Sequence, residues 1–468
     1  MKGQADVSDD AGWRAMLAGG NLLKALVITG GTGLHAVSIY VVVTIMPVVV
    51  GEIGGLPFFA WTATLYVAGS LASSSAVPLL LSRAGPRHVY RLACLLFVIG
   101  SLTCSLATNM PVLLIGRLIQ GLGGGMLPAL GYGLIRTIFP PHLHARAIVL
   151  IGSVWGIAAL AGPAIGGLFA QYATWRAAFW VDVLIGAAFV LLSGTVLPGE
   201  VTATSGRRPF PGIRLALLVA AAMALSAGGA TGHFVPSAAG IAVAIVLIVA
   251  MLRHDARSTP RMLPGGAFDP RLPLGAVSAT MGLLILTGAP TSFIPYILRT
   301  GSGVTPLVGG YVNATFALSW TVISFVTASA VAGRARAMMV LGPALMTVGL
   351  ALIALTLPGG NLPMVFAGQA ILGTGIGVCW AHLGALLMAV APAADRDVAG
   401  PFITTTQTLA AVFGSALAGM LANVAGLPEA ATPAALATTT AWLFGVSTLI
   451  PLAATFTAWR MLVLTRTG

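Results

Sequence analysis

The sequence predicts an all-α integral membrane protein of 14 transmembrane helices, arranged as two six-helix bundles with an inserted helix pair between them. Three observations predict it. First, 57% of the 468 residues are apolar, only 7% are charged, and the mean hydropathy is +0.98. No soluble domain of this size buries so much apolar surface, so lipid must be part of the solvent. Second, the apolar residues fall into runs of about 20 or more, enough to cross a hydrocarbon layer of about 30 Å. Third, a repeat recurs at an offset of 252 residues: GRLIQGLGGG from Gly116 aligns with GQAILGTGIG from Gly368. Gly162, Pro163 and Gly167 likewise align with Gly414, Ser415 and Gly419. Parallel repeats of six spans are a recurrent way of building membrane carriers.

Taken in order, the spans are expected at 24–50, 57–81, 88–107, 111–138, 145–171, 176–197, 213–231, 235–252, 273–298, 306–332, 338–357, 362–390, 398–424 and 437–462. The first six and last six correspond through the repeat, which makes spans seven and eight the insert. The expected organisation is an N-terminal segment 1–23, a bundle 24–197, an inserted segment with its linkers 198–272, and a second bundle 273–468. Asp6, Asp9 and Asp10 precede the first span with no small-residue cleavage site, which does not read as a secretory signal.

The net charge of +12 is topogenic, not a nucleic-acid footprint, because the basic residues are scattered over short loops. With the N-terminus placed in the cytoplasm, 20 of the 23 Lys and Arg fall at the termini or in loops on that side. They include Arg83, Arg87 and Arg91, Arg136 and Arg146, Arg207, Arg208 and Arg214, and Arg253, Arg257, Arg261 and Arg271. Arg334, Arg336 and Arg396 continue the series, and Lys2, Arg14, Lys24, Arg460 and Arg466 lie at the ends. Arg176 and Arg299 fall on the opposite side, and Arg117 lies within a span. Both termini are therefore expected in the cytoplasm. Cys94 and Cys104 sit on one helix about 15 Å apart along its axis, and Cys379 is remote, so no disulfide is expected.

The stretch from Ile115 to Gly167 concentrates the informative residues. Two glycine clusters, Gly121 to Gly125 and Gly162 to Gly167, lie inside spans and are joined by the basic turn RTIFPPHLHAR. Helices in lipid associate through small residues that let backbones approach, so these clusters read as packing faces and hinges. GLGGG lacks the Lys-Ser/Thr ending and the preceding strand of a phosphate loop. Arg117 stands within the first of the two spans, where a guanidinium costs about 2.5–3.5 kcal/mol on insertion scales.

These motifs resemble those of the major facilitator superfamily, specifically its fourteen-span drug:proton antiporters, over nearly all the chain after residue 24. Arg117, Gln120, Gly121 and Gly123 fit the R-x-x-Q-G-x-G pattern of span four. Gly162, Pro163, Gly166 and Gly167 match the antiporter motif of span five, with Ala158 where a further glycine is usual. Trp175 and Arg176 opening span six are also typical. The resemblance implies the major facilitator fold and export of small molecules by alternating access. Two departures accompany it. In the loop after span two, Arg83, Gly85 and Arg87 remain, but Pro78, Ser82 and Pro86 replace a glycine, an aspartate and a basic residue. In span one, VSIYVVVTIMP has Ser38 at the position of the aspartate associated with proton coupling.

Arg117 reads either as a charge alternating between a carboxylate and substrate, or as an anchor on neighbouring carbonyls. Asp182 is the one carboxylate clearly inside a span, at a depth similar to that of Arg117. It is a candidate proton carrier or, more simply, an interfacial acid reaching water or Arg176. His35 lies one helical turn from Ser38. An imidazole has a reference pKa of about 6.5, which makes His35 the candidate coupling group in place of the missing acid, with a packed neutral core histidine as the plain alternative. His382 carries the same pair of readings. Gln120 and Ser38 complete the coupling set. Arg83, Gly85, Arg87 and the glycine–proline motif of span five are the gating set. Trp61, Tyr66, Trp155, Trp320 and Trp380 are candidate stacking surfaces for a flat substrate, and Gln407 lies in the polar stripe Thr404 to Thr408. Trp175, Trp180, Trp442 and Trp459 read as interfacial anchors.

The sequence offers no metal-ligand cluster, nucleophile elbow or soluble domain, which argues against an enzyme or sensor, and no cofactor is expected. The expected partners are a small-molecule substrate, protons and the bilayer. A bacterial inner-membrane location leaves open recruitment of a periplasmic adaptor and outer-membrane channel. The competing reading is an uncoupled or differently coupled carrier of one metabolite, motivated by Ser38 and Ser82.

Overall fold

Each long apolar run folds as a helix in a computed structural model describing residue 16 and residues 19–140, 143–199, 211–258, 261, 263–327, 332–392, 395–430 and 432–465. The basic residues Lys2, Arg14, Arg207, Arg208 and Arg466 lie outside the described residues, as do the side chains of Arg136, Arg146, Arg396 and Thr404. The first bundle comprises α1 (Gly19–Ile53), α2 (Trp61–Ser105), α3 (Met110–Ile138), α4 (His144–Tyr172) and α5 (Trp175–Val196). The inserted pair is α6 (Gly212–Gly229) and α7 (Phe234–Ala256). The second bundle holds α8 (Pro273–Gly288), α9 (Ile294–Ser302), α10 (Pro306–Thr327) and α11 (Ala332–Thr356). It continues with α12 (Leu362–Val390), α13 (Arg396–Val424), α14 (Pro433–Ser447) and α15 (Leu449–Leu464).

Thirteen helical stretches are long and apolar enough to span a bilayer. One of them, Leu56–Ser105, has 50 residues, about 75 Å of helix and more than twice a bilayer. Gly85 divides it: its φ of 74° and ψ of 165° are not helical, and Pro86 follows. The stretch therefore crosses twice, which gives the 14 spans expected. Two other spans are interrupted, Pro433–Leu464 at Thr448 between α14 and α15, and Pro273–Ser302. Between α8 and α9 the chain tightens into a 3-10 turn, Ala289–Phe293, at Pro290. There the Thr291 and Ser292 hydroxyls donate to the Gly288 and Ala289 carbonyls. In lipid a freed carbonyl must find such a donor.

The repeat is visible in the packing. Asn109 caps α3 by accepting from the Val112 amide, and Asn361 caps α12 by accepting from the Met364 amide. Gly121 and Gly125 of α3 lie against the backbone of Tyr66 and Ser70 on α2, with no room for a side chain. Gly373 and Gly377 of α12 lie in the same way against the Phe316 and Trp320 carbonyls of α10. The small residues are there because two backbones occupy the space a Cβ would need.

The bundles meet at the face of the membrane where α1 ends and α2 begins, called here the Glu52 face. Phe59 stacks on Phe293, with ring centroids 4.7 Å apart. Gly167 faces Leu307, Gly310 faces Thr44 and Pro163, and Gly419 faces Ala60. The insert packs along the same seam: Ala221 and Leu225 of α6 and Ala244 of α7 join Ala416 and Met420 of α13 in one apolar cluster. Ala222 meets Ala68 and Val412. The Asn423 amide donates to Pro57 O of the first bundle at 2.8 Å and to Gly229 O of the insert at 3.1 Å. An Arg214–Asp255 ion pair of 2.8 Å ties α6 to α7 at the opposite face.

The backbone contacts make a stability prediction. Gly125→Val should force α2 and α3 apart, at a cost of at least about 1–3 kcal/mol. Gly133→Ala meets open space and should stabilise α3 by up to about 1 kcal/mol through helix propensity. Thermal unfolding in detergent measures both, and a Gly125→Val variant as stable as the parent would contradict this packing.

Candidate functional site

Arg117 is 2% exposed, so the protein itself must compensate its charge. Groups from three spans, its own included, do so. Its Nε donates to the Thr62 carbonyl at 3.2 Å, and its Nη1 donates to Gln120 Oε1 at 2.5 Å and Ser38 Oγ at 3.5 Å. The guanidinium carbon lies 3.9 Å from the centroid of the Tyr66 ring, whose π-face supplies negative potential. Arg117 and Gln120 are three apart on one helix, so both side chains project to the same side.

Gln120 is the hub. Its Nε2 donates to Ser101 Oγ at 2.8 Å, Ser38 Oγ at 3.1 Å and Asp182 Oδ2 at 3.1 Å. Its orientation follows from valence: guanidinium only donates and carboxylate only accepts, so the amide oxygen must face Arg117 and the amide nitrogen Asp182. Asp182 is 2% exposed. It belongs to the same cluster as Arg117 but meets it through the Gln120 amide. The expected alternative, an interfacial acid reaching Arg176, is not what forms. Arg176 instead pairs with Glu52 at 2.5 Å, and Trp175 Nε1 donates to the same carboxylate at 2.7 Å. Trp175 is therefore 1% exposed, a buried bridge between α1 and α5, whereas Trp180, Trp442 and Trp459 are exposed.

His35 and Ser38 both face this core from α1. His35 Nδ1 lies 2.8 Å from the Tyr66 hydroxyl, and the two rings stack with centroids 5.4 Å apart. Tyr66 thus touches Arg117 with its face and His35 with its hydroxyl. Because it is completely buried, it is a core group in this conformation and not a stacking surface for substrate. The edge of His35 meets Trp155 at 6.0 Å. Trp155 is 38% exposed, and its neighbour Gly156 faces Thr321 of the second bundle, which puts this indole at the boundary between bundles.

The other candidates separate from this cluster. Trp320 and Trp380 meet edge to face at 5.7 Å in the second bundle. Trp61 packs on Phe58 near the Glu52 face, and Gln407 is half-buried on α13. His382 is buried on α12, and its Nε2 has no hydrogen-bond partner. Gly162 and Gly166 pack on Tyr40 and Val41 of α1. Arg83 is exposed, while Arg87 donates to the Leu197 carbonyl at 3.0 Å within its own bundle. Ser101 and Thr62 were not among the sequence candidates. Single hydroxyl residues in apolar spans are common, and nothing in their spacing marks these two.

The comparisons with known proteins agree with one another. The Major Facilitator Superfamily profile matches residues 28–333. A probable multidrug-efflux transporter of Mycobacterium tuberculosis is 34% identical over 430 residues, covering 89% of this chain and 91% of the relative. A riboflavin transporter of Clostridioides difficile is 25% identical, covering 76% of this chain and 78% of the relative. A solved POT-family transporter superposes with a TM-score of 0.64 at 14% identity, covering 94% of this chain and 98% of that one, a likeness of fold alone.

If Gln120 is what satisfies Arg117 and Asp182 together, Gln120→Leu should destabilise the protein by about 3 kcal/mol, because it strands a buried charge. Adding Arg117→Met should recover part of that loss. Thermal unfolding of the three variants in detergent decides, and a double variant no more stable than Gln120→Leu alone would refute the hub.

Proposed function

Because the chain belongs to the major facilitator superfamily, we propose that this transporter exports small amphipathic or lipophilic molecules by alternating access, driven by proton entry. The observation that carries the reading is the buried Arg117–Gln120–Asp182 cluster. Such a charge is costly in a membrane core and is ordinarily retained where it works. The multidrug-efflux relative favours export. The closed seam at the Glu52 face favours a state open towards the other side, as one of two alternating states.

Coupling requires a group whose protonation differs between the two states. The family's acid in span one is replaced by Ser38, yet the Asp182 carboxylate arrives from α5 in the same hydrogen-bonded cluster. Two groups therefore qualify. Asp182 is sequestered behind Gln120, whereas His35 stands beside the half-exposed Trp155. We assign the titrating role to His35 and the structural balancing of Arg117 to Asp182. The groups facing His35 are the Tyr66 hydroxyl and the Trp155 ring, with the Arg117 charge beyond Tyr66. The riboflavin transporter among the relatives supports the second reading, a carrier of one metabolite, and Ser82 in the loop after span two is consistent with it. The bacterial relatives support an inner-membrane location and the basic loops support cytoplasmic termini, in which case the Glu52 face looks outward.

Two experiments test this. In proteoliposomes, substrate flux should follow an imposed pH gradient. His35→Gln should fold normally and flatten the pH dependence of that flux. Asp182→Asn should lower the yield of folded protein and leave the profile per molecule unchanged. Flux indifferent to the gradient would leave the uncoupled carrier as the better reading. A cysteine at position 257 should react with an impermeant label only after permeabilisation, and one at position 360 should react from outside. The three native cysteines are buried and give little background.

A further inference from the structure

The repeat places Gln369 of α12 where the first half has Arg117 of α3, since 252 residues separate them. The two side chains behave in parallel. Arg117 reaches across to Thr62 on α2, and Gln369 Nε2 donates to Asn313 Oδ1, at 3.4 Å, on α10. The difference is what remains unmet. Gln369 is fully buried, and its Oε1 has no hydrogen-bond partner. A buried carbonyl oxygen in that state is destabilising, so a purely structural role would be better served by leucine or methionine.

α10 and α12 run parallel, and their facing residues form a column. Asn313 and Gln369 pair at one level, Phe316 lies one turn on, and Trp320 with Trp380 follows. Asn313 to Trp320 is seven residues, about 10 Å along the axis, roughly the length of three fused rings. All four residues other than Gln369 are half-buried, so this column is not sealed on every side. Its polar end is uncharged: it has the vacant Gln369 oxygen as acceptor and the Asn313 amide nitrogen as donor.

We propose that the Asn313–Gln369 pair is a substrate subsite that recognises a flat molecule carrying an adjacent N–H donor and carbonyl acceptor, such as a lactam, with its rings against Phe316, Trp320 and Trp380. The N–H of the ligand donates to Gln369 Oε1, and its carbonyl accepts from Asn313. The first half of the repeat thus carries charge and the second carries recognition. The inference deepens the export reading by naming a substrate class.

The probes are phenanthridinone, a flat three-ring lactam, its N-methyl derivative, and ethidium, a flat cation of similar outline without the lactam edge. Binding to the purified full-length protein in detergent is followed by quenching of tryptophan fluorescence, with no pH gradient. The expected result is that N-methylation weakens binding of phenanthridinone at least tenfold, because the vacant oxygen loses its donor. In Gln369→Met that difference should shrink below about twofold, while ethidium binding changes little and the thermal midpoint stays equal or rises. An N-methyl effect that is absent in the parent, or that persists in Gln369→Met, overturns the subsite. So does a Gln369→Met variant that unfolds, since the amide would then be holding the bundle together. Because no gradient is involved, loss of proton coupling in the flux assay would refute the export mechanism and leave this result intact.

Discussion

A guanidinium in the middle of a membrane protein has to be solvated by the protein itself, and the first bundle is arranged around that requirement. Arg117 receives a backbone carbonyl from α2, an amide oxygen from its own helix, a hydroxyl from α1 and an aromatic face from α2. Each acceptor must be held to within a few tenths of an ångström for the charge to be compensated. The glycine contacts have the same origin: Gly121 and Gly125 draw α2 and α3 together at the level where Tyr66 and Gln120 must reach the arginine. Packing and electrostatics therefore act on one set of residues.

The legible part of the sequence was what repeats along the chain. Apolar runs gave the spans, glycine clusters gave the close helix pairs, and the 252-residue offset gave the correspondence of α3 with α12. The illegible part was what crosses between spans. Gln120 was recognisable as a motif residue, but its partners Ser38, Ser101 and Asp182 come from three other spans, and no local spacing encodes their meeting. Trp175 shows the same limit from the other side. A tryptophan at a helix start reads as an interfacial anchor, and only the arrival of Glu52 from α1 makes it a buried donor.

Ser38 first reads as a loss, because the acid usual at its position is missing. In three dimensions a carboxylate nonetheless reaches this cluster: Asp182 meets the same Gln120 amide that Ser38 meets. A hydroxyl on α1 leaves room for it, whereas a second acid there would set two carboxylates against one guanidinium.

Asn423 belongs to the second bundle, yet one amide nitrogen joins it to the first bundle at Pro57 and to the insert at Gly229. Any motion that parts the bundles at the Glu52 face must break the first of these bonds and can spare the second. The apolar contacts of α6 and α7 with Ala416 and Met420 lie on the side that is spared. In the proposed rocking motion the insert would travel with the second bundle as ballast, sliding only past its Ala222 contact with Ala68, and the moving parts would be six spans against eight. The lipid annulus displaced by each stroke would be correspondingly lopsided, so bilayer thickness and stiffness load one half of the cycle more than the other.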